Sequence, residues 1–148
     1  MSESILRISE ALSLAFHGTA YLASGDQRPR TVRDIARRIK ASEAHLSKVL
    51  QALARAGILR AIRGPKGGYS LAKKPEEITL LEIYEVIHGP LKDQKCLYEH
   101  PLCGGDNCIL GNLISEVTRL MREHLSQTTL EMVKDVITEN LKKIEENH

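Results

Sequence analysis

The three cysteines of the chain fall in one short stretch, Cys96-Leu-Tyr-Glu-His-Pro-Leu-Cys103-Gly-Gly-Asp-Asn-Cys108. Thiolates are soft donors suited to iron–sulfur clusters and zinc. Pro101 and Gly104-Gly105 let this segment bend sharply, so three sulfurs can converge on one centre. An odd count rules out a complete disulfide framework. A zinc site more often shows Cys-x2-Cys pairs, which are absent, and a disulfide or sulfenate switch needs only two of the three thiols. The favoured cofactor is therefore an iron–sulfur cluster, 2Fe–2S or 4Fe–4S in type. Zinc, or direct thiol oxidation with no cofactor, is the alternative.

The second set of residues able to do chemistry is cationic. Between Arg28 and Lys74 stand 13 Lys or Arg against two acids, Asp34 and Glu43. The rest of the chain carries 8 Lys or Arg against 17 acids, so a net charge of +2 conceals a strongly basic middle third. Such segregation is what a polyanion-binding face requires.

The elements that must position these groups are mostly helical. Apolar residues recur at three- and four-residue spacing over 5–23 (Ile5, Ile8, Leu12, Ala15, Phe16, Thr19, Leu22), predicting a helix closed by the turn residues Gly25 to Pro29. Thr31 caps a second helix with Asp34 as its reciprocal partner, and Ser42 caps a third that carries Leu46, Val49, Leu50 and Leu53 inward and stops at Gly57. A short helix, a tight turn and a longer helix make a helix-turn-helix. Two strand-like runs, 58–63 and 69–71, flank Gly64-Pro65-Lys66-Gly67-Gly68 and form a wing. Thr79-Leu80-Leu81-Glu82 is a capping box opening a helix through about Ile87. Beyond the cysteines, Ile109, Leu113, Val117, Leu120, His124 and Leu125 form one stripe, the expected dimer seam. Leu130, Val133, Val136/Ile137, Leu141 and Ile144 form another, with a charged tail expected to fray. The fold class expected is mainly α with a small β wing. Residues 1–90 form the winged helix-turn-helix, 91–108 the cysteine loop, and 109–148 a long dimerisation helix and a C-terminal helix.

A recognition helix presents small and polar side chains to the major groove from its N-terminal end. Here those are Ser42, Glu43, Ala44, His45, Ser47 and Lys48. Lys48 and His45 can donate to guanine or phosphate, and Glu43 can accept from cytosine. Arg33, Arg37, Arg38 and Lys40 would meet backbone phosphates, and the slim cationic tip Arg63-Gly64-Pro65-Lys66 suits a minor groove.

The stretch from Thr31 to about Pro90, with Arg63-Gly64-Pro65-Lys66-Gly67-Gly68-Tyr69 as its sharpest marker, resembles the IscR/NsrR-type regulators of the Rrf2 superfamily. The run Cys103-Gly104-Gly105-Asp106-Asn107-Cys108 is similar to that family's cluster loop, and Thr129-Leu130 to the start of its last helix. The resemblance implies a homodimeric transcription factor on a palindromic operator in double-stranded DNA. Its operator binding would be tuned by a cluster responding to iron–sulfur status, nitric oxide or redox poise. It implies Cys96, Cys103 and Cys108 as ligands. The family spaces its cysteines evenly; here the gaps are six residues and then four. Where IscR-like members place a histidine ligand stands Gly111, and where NsrR-like members place an acid on the first helix stands Ser13. A fourth ligand is therefore expected from His17, one turn beyond Ser13 and reaching a partner subunit, with His100 in the loop as the alternative and Glu10 as a weaker one.

Hydrophobic residues make up 42% of the chain and charged residues 27%, enough for one core with a soluble surface. Only five residues are aromatic, which favours packed helices over a sandwich. No secretion signal or membrane span is visible, so a cytoplasmic protein with no membrane partner is expected. Enzymatic activity has no support, since there is no phosphate loop, nucleophile elbow or His-Glu-x-x-His. A cluster carrier, the remaining alternative, would leave the basic module without a role.

Overall fold

A computed structural model describes residues 8–93, 96, 98, 102, 103 and 108–147, apart from the side chain of Leu141. Helix α1 (Glu10–Ala23) lies at the centre, packed against α2, α3, α4 and α6. It starts later than the periodicity predicts. Ile8 and Ser9 are not helical, because the Ser9 hydroxyl accepts the Leu12 amide at 3.2 Å and so ends the helix there. Residues 5–7 of the expected helix lie outside the described residues.

Helices α2 (Val32–Ile39) and α3 (Glu43–Arg55) begin where their caps predict, at Thr31 and Ser42. Their inner faces, Ile35, Leu46 and Leu50, close on α1 around Gly18. α3 ends in paired bonds, Ile58 N–H to the Leu53 carbonyl and Gly57 N–H to the Ala54 carbonyl. That hydrogen-bond pattern is a Schellman stop.

The chain then forms β1 (Leu59–Ile62) and β2 (Gly68–Leu71), antiparallel with Leu59 opposite Leu71 and Ile62 opposite Gly68. Tyr69 also exchanges both backbone hydrogen bonds with Arg30, at 2.8 and 2.9 Å, which fastens the wing to the segment entering α2. This clamp explains Gly68, and the tight turn back from β1 explains Gly67. A Cβ on Gly68 would lie 2.2 Å from the Arg30 carbonyl oxygen, and one on Gly67 would lie 2.1 Å from that of Ile62.

A 3₁₀ turn, Pro75–Glu77, leads to α4 (Leu80–His88), which opens with the expected capping box between Thr79 and Glu82. Helices α5 (Leu113–Gln127) and α6 (Leu130–Glu146) follow. The start of α6 is stapled to that of α4: Leu130 N–H reaches the Ile78 carbonyl, and Leu80 N–H the Thr128 carbonyl, both at 2.9 Å. Leu130 is fully buried in the main core with Ile78 and Ile83. The tail expected to fray is helical through Glu146, and Glu145 ion-pairs with Arg38 at 3.2 Å. The whole is mainly helical with a two-stranded wing and a long C-terminal helix, as the sequence predicts.

Candidate DNA interface and thiol site

Caps and packing orient α3 so that Leu46, Val49, Leu50 and Leu53 point inward. That leaves Ser42, Glu43, Ala44, His45 and Lys48 exposed, with Ser47 half-buried and accepting a hydrogen bond from Gln51 at 3.0 Å. Ser42 also spends its hydroxyl on the His45 amide, so it acts first as a cap. Two of the expected base or phosphate contacts are paired with each other: Arg33 and Glu43 lie 3.5 Å apart on the surface. His45 lies 3.3 Å from Glu10, a pairing that the helix pattern gave no sign of.

Arg63, Gly64, Pro65 and Lys66 stand fully out at the wing tip, where Gly67 N–H closes a turn on the Gly64 carbonyl at 2.9 Å. Arg37 and Lys40 are exposed, and Lys40 ends α2 in the left-handed conformation (φ 55°). Arg38 is half-buried and engaged by Glu145. The convex surface made by α3 and the wing therefore carries His45, Lys48, Arg63 and Lys66, with Arg33 and Arg37 on the adjoining α2. This is a cationic edge of the kind a duplex backbone attracts.

The cysteines sit on the connection between α4 and α5. All three are free thiols and half-buried. The Tyr98 amide donates to the Cys96 sulfur at 3.5 Å. After Cys108 the chain makes a turn, with Gly111 N–H on the Cys108 carbonyl at 2.9 Å and Gly111 at φ +58°. Gly111 takes the left-handed conformation that this turn requires without a side-chain penalty. Among the described residues, no three His, Cys, Asp or Glu side chains come together as a metal site. The donor set itself fits a cluster in its chemistry: three free thiols, each partly open to solvent.

His17 lies on the exposed side of α1 and lines a shallow apolar cavity of about 210 Å³ with Val133, Val136 and Ile137 of α6. Its Nδ1 lies 2.7 Å from the Ser13 carbonyl oxygen. A carbonyl only accepts, so Nδ1 carries the proton and Nε2 is left as the available donor atom. The structure does not bring His17 and the three cysteines into one metal site. His100 lies outside the described residues.

One residue of this region escaped the sequence reading. Arg122 of α5 reaches back to the Asp93 carboxylate at 2.6 Å and donates to the Leu91 carbonyl, anchoring the chain three residues before Cys96. Its only sequence signal is a cation placed off the apolar stripe of α5.

Residues 8–136 match the family model described as Rrf2, iron-dependent transcriptional regulator. The chain belongs to the Rrf2 family. It is 33% identical over 143 residues to a protein of Aquifex aeolicus, provisionally named an HTH-type transcriptional regulator, covering 95% of this chain and 94% of that one. It is 30% identical over 106 residues to the regulator NsrR of Geobacillus kaustophilus, covering 71% and 69% of the two chains. Among solved structures it is similar to CymR, the global cysteine regulator of B. subtilis, with a TM-score of 0.72 at 26% identity over 89% of this chain and 98% of that one. Like the Rrf2 family as a whole, the chain is thus a DNA-binding transcriptional regulator and not an enzyme. Among the described residues, no helix is long and apolar enough to cross a membrane.

Proposed function

We propose that this Rrf2 regulator works as a cytoplasmic homodimer on a palindromic operator, with Cys96, Cys103 and Cys108 holding an iron–sulfur cluster that tunes operator affinity. The observation that carries this reading is the continuity between the thiol segment and α5. The last cysteine lies five residues before the first residue of α5, and Arg122 of the same helix grips the segment ahead of the first.

α5 also carries exposed apolar residues. Leu113, Val117 and Leu120 are 52%, 39% and 62% exposed. With Leu12 and Phe16 of α1 and Tyr84 of α4, α5 borders an apolar groove of about 480 Å³. Apolar surface of this kind is costly to leave in water. A second copy of α5 fits it, because a two-fold interface pairs a surface with itself and matches a palindromic site.

In the dimer, α3 reads the major groove through Glu43, Ala44, His45, Ser47 and Lys48. Arg33, Arg63 and Lys66 hold phosphates, Gly64 and Pro65 keep the wing tip slim, and Arg37, Arg38 and Lys40, expected from the sequence to meet phosphates, line the cleft between α2 and α6 instead. Half-sites lie about 34 Å apart, so the angle between the α5 helices controls whether both recognition helices dock together. A bound cluster would supply one-electron redox chemistry and reactivity toward nitric oxide. The protein's part is mechanical: three thiolates drawn together shorten the 91–108 connection, and Arg122 passes the displacement to α5. His17, with Nε2 free, is the fourth donor we favour.

Anaerobic purification with iron, sulfide and zinc measured per chain tests the reading. Iron with sulfide, lost on replacing any of the three cysteines by serine, supports it. Zinc alone, or no metal, overturns it.

A further inference from the structure

A second concave surface lies between α2 and the end of α6, away from the thiols. It is a cleft of about 390 Å³ walled by Arg30, Arg37, Arg38 and Lys40, with Tyr21 and Ile144 supplying an apolar side. Two carboxylates also border it, and both are already engaged. Asp34 accepts the Thr31 hydroxyl at 2.7 Å, and Glu145 binds Arg38 at 3.2 Å. Arg30 is held by Asp26 at 3.0 Å. Among the described residues, neither Arg37 nor Lys40 has an ion-pair or hydrogen-bond partner for its side chain. Four cations thus face two acids, and the excess positive charge lines an open cleft.

We propose that this cleft binds a small organic dianion, of the phosphomonoester class, with its anionic group between Arg37, Arg38 and Lys40 and its apolar body against Tyr21 and Ile144. Guanidinium groups grip phosphate through paired, charge-assisted hydrogen bonds, and a phosphomonoester carries close to two negative charges at neutral pH. Glu145 is an internal stand-in for that ligand. Its carboxylate comes from the far end of the chain to occupy Arg38, and an incoming dianion competes with it.

The consequence is regulatory and independent of any cluster. α2 is the first helix of the DNA-reading pair, and the tail of α6 rests on it through Arg38. A ligand that displaces Glu145 joins α2 to α1 and frees the α6 tail, so its occupancy couples to operator affinity.

The experiment follows arginine side-chain and Tyr21 ring NMR signals of the full chain during titration with phenyl phosphate, inorganic phosphate and a short DNA duplex. Phenyl phosphate is expected to shift Arg37, Arg38 and Tyr21 saturably and to bind more tightly than inorganic phosphate. Affinity should fall roughly tenfold or more in the Arg37→Gln, Lys40→Gln double variant. It should rise in Glu145→Gln, whose folding is checked by its melting temperature. Unsaturable shifts, equal binding of inorganic phosphate, or no response to either variant would overturn the proposal. So would a duplex that shifts the same signals and blocks phenyl phosphate, because the cleft would then belong to the DNA face.

Discussion

His45 Nδ1, on the first turn of the recognition helix, lies 3.3 Å from the Glu10 carboxylate at the start of α1. The recognition helix is thus tied to the central helix by an exposed pair, and under the proposed function His45 reads the groove while Glu10 opposes the approaching phosphates. Both groups are largely exposed, so the pair adds little to stability. Its effect is on binding. Replacing Glu10 by Gln should tighten duplex binding a few-fold at low salt and release His45 toward the groove, at a cost of about 0.3–1 kcal/mol of helix-dipole stabilisation. Unchanged affinity in a fluorescence-anisotropy titration would place His45 away from the duplex.

The wing is the most constrained turn of the chain, and its stability and charge can be tested separately. Gly68→Ala pushes a methyl group into the Arg30 carbonyl and forces a side chain onto φ +139°. It should cost at least about 2 kcal/mol and unlock the wing from Arg30. Arg63→Ala and Lys66→Ala should leave the melting temperature unchanged. Each should reduce the slope of log affinity against log salt by about 0.9. If the slope is unchanged in both, the tip does not touch phosphate.

Arg122 is expected to act on the thiol segment without touching a metal. Arg122→Ala removes the contacts to Leu91 and Asp93. Amide hydrogen exchange over 91–93 should speed up, and the iron-loaded form should lose its visible absorption faster in air. Lysine at 122, a single-point donor, should rescue only partly. Exchange rates matching wild type would show that the anchor has no positioning role.

Helix α2 carries an acid-sensitive cap. The Thr31 hydroxyl holds the Asp34 carboxyl below its ordinary 3.8, helped by the Thr31 amide and by Arg37 and Arg30 and opposed by slight desolvation. A carboxylate with a lowered folded-state pKa contributes stability above the unfolded value and loses it as pH falls through the folded one. Thr31→Val should therefore return Asp34 toward 3.8 and remove this part of the acid sensitivity of α2. Carboxyl-carbon NMR measures it, and an unmoved titration would contradict the assignment.

Much of this was legible in the sequence because the signals are local. Thr31, Ser42 and Thr79 mark helix starts through bonds made within three residues, and Gly64 to Gly68 mark the wing by turn chemistry. α1 was read too long because Ile8 keeps the apolar period while Ser9 ends the helix by capping it. Contacts that tie distant segments left no periodic trace: Tyr69 on Arg30, Glu145 on Arg38, and Arg122 on Asp93. The tail was expected to fray for the same reason, since its charges looked solvated until Arg38 supplied a partner. The cysteine spacing identified a donor set, but the folded chain alone does not bring the three thiols together.

The most direct test of the central claim is operator affinity of iron-loaded and iron-free protein, measured anaerobically at one fixed salt concentration. Linkage between the thiol segment and α5 predicts that the two differ by roughly 5–150-fold, as for typical allosteric coupling. It also predicts that replacing the three cysteines by serine abolishes the difference. Equal affinities, or a difference that survives without the cysteines, would contradict it.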